Sequence, residues 1–159
     1  EQIRAIVNAS TPVVAHLGMT PQSVNTLGGF KVQGKTAEAA RKLLEDAKAV
    51  EEAGAFALVM ECVPAKLAAL VTKTLHIPTI GIGAGAGCDG QVLVYQDMLG
   101  MFMDYQPKFV RKFAEVGKTM QDAFVTYRNE IQAGNFPAEE HSFAISDEVM
   151  AQLEQEAQA

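Results

Sequence analysis

The sequence predicts an α/β protein built on a parallel sheet, and three observations carry that expectation. Residues 56–60 are apolar and lie between an Ala-Gly turn and Pro64, the pattern of a strand buried on both faces. Residues 13–18 repeat the plan, with an apolar run that closes on His16 and Gly18. Helical stripes follow both runs, and the order strand, helix, strand, helix calls for a parallel sheet.

The bulk properties narrow the function classes. With 159 residues, 48% of them apolar, the chain can bury one core, and it contains no apolar run of the roughly eighteen residues needed to span a bilayer. It reads as a single domain over 1–159, with residues 144–159 as a helical extension. A formal charge of -6 without a basic cluster argues against nucleic acid and anionic membranes as partners. Cys62 and Cys88 are too few for a disulfide framework and lack the paired spacing of a zinc site, so two free thiols in a reducing, cytoplasmic setting are expected. No secretory or transit segment is visible. The chain opens without methionine, partway through a helix with Ile3, Ile6 and Val7 on one face, which suggests a piece of something longer.

Taken in order, residues 19–34 hold Pro21, Asn25, Gly28, Gly29 and Gly34 without a sustained period, the mark of a long binding loop or lid. Thr36 is placed to cap a helix with the stripe Ala40, Leu43, Leu44, Ala47 and Val50, closed by Gly54. Pro64 opens another, with Leu67, Leu70, Val71 and Leu75, which stops before Pro78. Residues 79–85 form a third strand whose alternating glycines predict close approach of a ligand or neighbouring backbone. Gly85, Gly87 and Gly90 spell GxGxxG, but Cys88-Asp89-Gly90 interrupts the helix that a dinucleotide fingerprint must open. A glycine-lined pocket wall or phosphate-sized nest is the better reading. Parallel neighbours need a crossover of about a dozen residues, so residues 89–99 are expected as a crossover helix and 101–104 as the fourth strand. Helices are expected over 107–117 and 119–134 to cover the sheet. After an irregular stretch at 135–143, Ser146 should cap a final short helix.

Glu61 is the leading candidate for chemistry. It ends the 56–60 strand, and the C-terminal end of a parallel strand is the catalytic face of an α/β barrel or the ligand crevice of an open doubly wound sheet. The bland alternative is a solvated or lysine-paired glutamate. His16 ends a strand in the same way, against the alternative of a histidine satisfied by local backbone. Lys31 reads as a solvated loop lysine, and His76 as a helix-end dipole contact. His141 carries no assigned chemistry, and Asp89 and Asp97 are further carboxylates without a defined role.

The string from His16 through Thr20-Pro21-Gln22-Ser23 to Asn25 is one of several ordered matches. With Gly28-Gly29-Phe30-Lys31-Val32-Gln33-Gly34, Glu61-Cys62-Val63-Pro64, Gly81-Ile82-Gly83-Ala84-Gly85, Asp89-Gly90-Gln91 and Glu140-His141-Ser142-Phe143, it resembles the C-terminal part of ketopantoate hydroxymethyltransferases. The resemblance implies the C-terminal half of a (β/α)8 TIM barrel of the phosphoenolpyruvate/pyruvate type, with about four strand-helix units plus C-terminal helices. It also implies a homo-oligomer, a decamer by family pattern. The implied reaction moves a hydroxymethyl group from 5,10-methylenetetrahydrofolate to 3-methyl-2-oxobutanoate, giving 2-dehydropantoate for pantothenate and coenzyme A synthesis, with magnesium bound. Glu61 matches the family's proton acceptor, and His16 matches a histidine that contacts the oxo acid. The two aspartate magnesium ligands and their neighbouring serine, lysine and glutamate belong to the N-terminal half, so no metal ligand is expected in this chain. Two alternatives stand beside the enzyme: a non-catalytic barrel fragment lacking the metal-binding half, and a flavodoxin-like binding domain using the glycine loop.

Overall fold

A computed structural model describes residues 1–26 and 28–157, which divide into two compact units, Glu1–Phe113 and Ala114–Ala159. The first contains α1 (Gln2–Asn8), β1 (Val14–Gly18), α2 (Ala37–Glu52), β2 (Ala57–Glu61), α3 (Ala65–Thr74), β3 (Thr79–Ile82), β4 (Gly90–Gln91) and α4 (Tyr95–Met98). Its four strands form one all-parallel sheet in the sequential order β1-β2-β3-β4. An α/β fold with a parallel sheet is therefore what the sequence pattern specified.

The central strand is buried as its composition requires. Leu58 and Met60 are fully buried and Ala57 nearly so, occupying both faces of β2; Phe56, expected within the strand, lies just before it and is half exposed. The Thr36 hydroxyl accepts the Ala39 N–H at 3.2 Å and caps α2, which packs on β1 and α3 through Leu43 and Ala47. In α3 the buried positions are Ala68 and Val71, whereas Leu70, expected in the apolar stripe, is half exposed. Glu51 of α2 fastens the turn after α3: its Oε1 accepts the N–H groups of His76 at 2.6 Å and Ile77 at 3.0 Å. Those bonds, the His76 N–H foremost, hold the Glu51 carboxyl below its ordinary range. The His76 imidazole itself stays in solvent.

The connection between β3 and β4 corrects the sequence reading. Residues 89–99 are not a crossover helix and 101–104 are not a strand; β4 is the two-residue segment Gly90–Gln91, beside Ile80 and Gly81. The rule of a dozen residues assumes a helix packed across the sheet, and here loop 83–89 lies flat on α3 instead. Its glycines make that possible. A Cβ at Gly85 would sit 2.4 Å from the Ala65 Cβ, and one at Gly87 2.6 Å from the Ala69 Cβ. The Asp89 carboxylate then pins the returning chain, accepting the buried Thr79 N–H at 2.8 Å and the Thr79 hydroxyl at 3.0 Å. Those bonds lower the Asp89 pKa, the backbone N–H contributing most. Asp89 thus has a structural role, and the alternating glycines answer a neighbouring helix as well as a pocket.

Residues 99–115 form no regular element, so the helix expected over 107–117 is absent. The Gln106 side chain donates to the Val110 carbonyl at 2.6 Å, the Phe113 N–H donates to the Met98 carbonyl at 2.8 Å, and Val110 is buried. In place of helical bonds, these contacts and the Phe109 ring against Gly83 hold the segment.

In the second unit α5 (Val116–Ala133) runs through Gly117 and Thr119, where the sequence reading ended one helix and began the next, and it closes at Gly134 with φ +74. Tyr127, Phe136 and His141 form a ring cluster with centroids 5.6 and 5.0 Å apart, and the His141 Nδ1 accepts the Ala138 N–H at 3.1 Å. His141 is therefore accounted for by tail packing. Ser146 caps α6 (Asp147–Ala157), as expected, its hydroxyl accepting from Val149 N–H at 3.4 Å.

Substituting Gly85→Ala should destabilise the protein by about 1–3 kcal/mol, because a methyl must be forced against Ala65 at a positive φ. Urea denaturation of Gly85→Ala, Ala65→Gly and the double variant tests it. Part of the loss should be recovered in the double variant; simple additivity would show that the helix contact is not the cause.

Candidate active site

Parallel pairing brings the two strand-end residues together. Register places Gly18 opposite Glu61 and His16 opposite Val59, so His16 and Glu61 share one face of the sheet at neighbouring levels. The buried His16 Nε2 lies 3.2 Å from Glu61 Oε2 without the geometry of a directed hydrogen bond. Gly18 makes the approach possible. With φ +95, its position would put a Cβ 2.1 Å from the Glu61 carbonyl oxygen, closer than any side chain permits.

Backbone bonds fix where Glu61 points. The Met19 N–H donates to the Glu61 carbonyl, the Cys62 N–H to the Ile82 carbonyl and the Gln33 N–H to the Cys62 carbonyl, each at 2.9 Å. Both ends of the loop that starts at Met19 are thereby tied to the β2 terminus. Cys62 takes a left-handed φ of 51, a conformation costing a non-glycine residue roughly 1–2 kcal/mol; strain of this kind concentrates at functional sites.

The Glu61 side chain is 13% exposed and faces a cavity of about 630 Å³, within the size range of small-molecule sites. Burial pushes its carboxyl above the ordinary range, and the nearby His16 offsets part of that rise. A carboxylate raised by desolvation is suited to take a proton from carbon. Burial, then the Glu61 charge, raises the Cys62 thiol as well, so Cys62 is held as a thiol and is a poor nucleophile.

Of the residues singled out from sequence, Glu61 and Asp97 line this cavity, and His16 meets it only through Glu61. Lys31, His76, Asp89 and His141 are not among its lining residues. Sequence reasoning missed Phe30, Phe102, Tyr105 and Lys108, which do line it. The signal for them was weak: Phe30 sat in a loop with no period, Phe102 and Lys108 in segments assigned to a strand and a helix that do not form, and Tyr105 between those two segments. A second cavity of about 640 Å³ shares Val32, Cys62, Lys108 and Phe109 with the first and includes Gly83 and Gly85, so these glycines do form a pocket wall.

Among the described residues, no three His, Cys, Asp or Glu side chains converge as metal ligands. Magnesium requires an oxygen-rich octahedral shell, and Glu61 beside an imidazole does not supply one. Also among the described residues, no helix is long and apolar enough to cross a membrane.

These features define an α/β protein with a carboxylate-centred site at the C-terminal ends of parallel strands. The family model described as ketopantoate hydroxymethyltransferase matches residues 1–139, and the chain belongs to that family. Over 153 residues, it is 67% identical to the 3-methyl-2-oxobutanoate hydroxymethyltransferase of Clostridium novyi and 63% identical to that of Enterococcus faecalis. The Clostridioides difficile enzyme of the same name is 58% identical over the same length. Each alignment covers 96% of this chain but 56% of the relative, so the chain spans about half the length of these proteins.

The raised Glu61 pKa makes stability depend on pH with a defined sign. Its neutral form is favoured in the folded state, so stability is fully present below the unfolded glutamate value of about 4.3 and is lost as pH rises through the higher folded value. Urea denaturation across that interval should show wild type losing stability relative to Glu61→Gln as pH increases. Parallel pH profiles for the two would contradict the assigned burial of charge.

Proposed function

We propose that this chain carries the proton-abstracting part of a site that transfers a hydroxymethyl group from 5,10-methylenetetrahydrofolate to 3-methyl-2-oxobutanoate, yielding 2-dehydropantoate for pantothenate and coenzyme A synthesis. The observation that carries the reading is the half-buried Glu61 carboxylate, raised in pKa, at the end of β2 against a ligand-sized cavity. Names borne by the relatives supply the substrate and the reaction class.

In this reading, Glu61 takes the proton from C3 of the oxo acid, and the electron pair passes into the C2 carbonyl as an enolate. Water adds to the donor's methylene and both donor nitrogens leave with protons, giving a one-carbon unit at the aldehyde level; the enolate carbon bonds to it, and the resulting alkoxide takes back the proton that Glu61 removed. His16, 3.2 Å from the Glu61 carboxylate, acts on the oxo acid through that carboxylate, since it does not itself line the cavity. Magnesium belongs to the same reading, where its role would be that of a Lewis acid toward the oxo acid. Among the described residues, no three His, Cys, Asp or Glu side chains assemble its ligand shell.

The architecture proposed is the C-terminal half of a (β/α)8 barrel of the phosphoenolpyruvate/pyruvate type. Sequential all-parallel strand order without a reversal supports this over a doubly wound sheet, whose order reverses at its ligand crevice. Homo-oligomeric assembly as a decamer and a cytoplasmic setting complete the proposal.

Deuterium exchange at C3 of 3-methyl-2-oxobutanoate, followed by proton NMR on the intact protein, tests the base directly. Glu61→Gln should slow exchange by about 10²–10⁴-fold, the usual contribution of a positioned base. Exchange at the wild-type rate in that variant would remove Glu61 from the role.

A further inference from the structure

The cavity in front of Glu61 has a wall that proton abstraction does not use. Phe30, Phe102 and Tyr105 line it from two separate segments while remaining 78%, 57% and 70% exposed. Aromatic rings this exposed around a concave site are suited to cover a flat ligand, since offset stacking on a ring face is favourable and leaves the ligand edge free.

That edge meets polar groups on α4. Gln96 and Asp97 both line the cavity. The backbone of Asp97 is satisfied, its N–H donating to Val94 and its carbonyl accepting from Gly100. Among the described residues its carboxylate has no hydrogen-bond or ion-pair partner. The Gln96 carbonyl accepts the N–H groups of Met101 at 2.8 Å and Phe102 at 3.3 Å, which fixes Phe102 close to Asp97. A carboxylate beside exposed rings selects a flat heterocycle that presents two adjacent N–H donors, because a carboxylate accepts such a pair through both oxygens.

We propose that Asp97, with Phe30, Phe102 and Tyr105, forms the subsite for the one-carbon donor's reduced pteridine ring, with the carboxylate accepting from the ring's 2-amino group and its neighbouring N3–H. The assignment rests on the donor named under Proposed function, and it adds the residues and the ring edge they read. It places the ring in the cavity that Glu61 faces, so the donor's methylene and the acceptor's C3 share one enclosure.

The test is made on the intact protein with 5,10-methylenetetrahydrofolate and its 2-desamino analogue. Wild type should favour the 2-amino donor by about tenfold or more in kcat/KM, the worth of a hydrogen bond to a charged group. Asp97→Asn should raise the donor KM by a similar factor and compress the preference to within about threefold, while Asp97→Glu recovers part of it. Tyr105→Leu should raise the donor KM with the 2-amino preference retained, and it keeps the test open if Asp97→Asn folds poorly. An unchanged preference in Asp97→Asn, or an unchanged donor KM in both Asp97→Asn and Tyr105→Leu, would overturn the subsite. Failure of the wild type to transfer from either donor, or to exchange the C3 hydrogen, would instead overturn the underlying reading.

Discussion

Glu61 ends a strand whose Leu58 and Met60 are wholly buried, and its own side chain keeps only 13% of its surface exposed. Desolvation there raises the pKa, and His16 at 3.2 Å offsets part of the rise. Most of the surrounding geometry follows from keeping that carboxylate in place. Gly18 leaves room for the Glu61 backbone carbonyl, and three backbone bonds tie the flanking loops to the strand end. Cys62 accepts a strained φ so that the chain can turn away at once.

The same economy shapes the opposite side of the site. Loop 83–89 returns to the sheet without a helix because Gly85 and Gly87 let it lie on α3, and because Asp89 satisfies the buried Thr79 N–H. Gly83 receives the Phe109 ring, which brings segment 107–110 to the cavity wall. The glycines that resemble a nucleotide fingerprint in sequence therefore act mainly as contact surfaces. Two cavities meet at Cys62, Val32, Lys108 and Phe109 as a result.

Legibility in the sequence tracked the strength of each local signal. β1, β2, α2 and α3 were readable because apolar runs and caps agreed with tertiary burial, and Glu61 was placed by the strand it ends. The region after Ile82 was not readable in the same way. A two-residue strand carries no periodicity, and the tie between Asp89 and Thr79 spans a turn that composition does not announce. Phe102, Tyr105 and Phe109 serve a cavity wall and not a strand or helix face, so the period-based expectation failed there. α5 crossed Gly117 because one glycine costs a helix only about 1 kcal/mol, which an 18-residue helix absorbs. His16 was legible as a strand-end residue, but its pairing with Glu61 needed the register.

The chemistry of the site turns on the protonation of one side chain. Carbon-13 NMR of selectively labelled glutamate, with Glu61 assigned by comparison with Glu61→Gln, would follow its carboxyl carbon through a pH titration. The midpoint should lie above the ordinary glutamate value of about 4.3 and move further up in His16→Ala as the offsetting imidazole is removed. A midpoint at or below the ordinary value, unmoved by loss of His16, would mean that Glu61 is a solvated carboxylate and not a buried base.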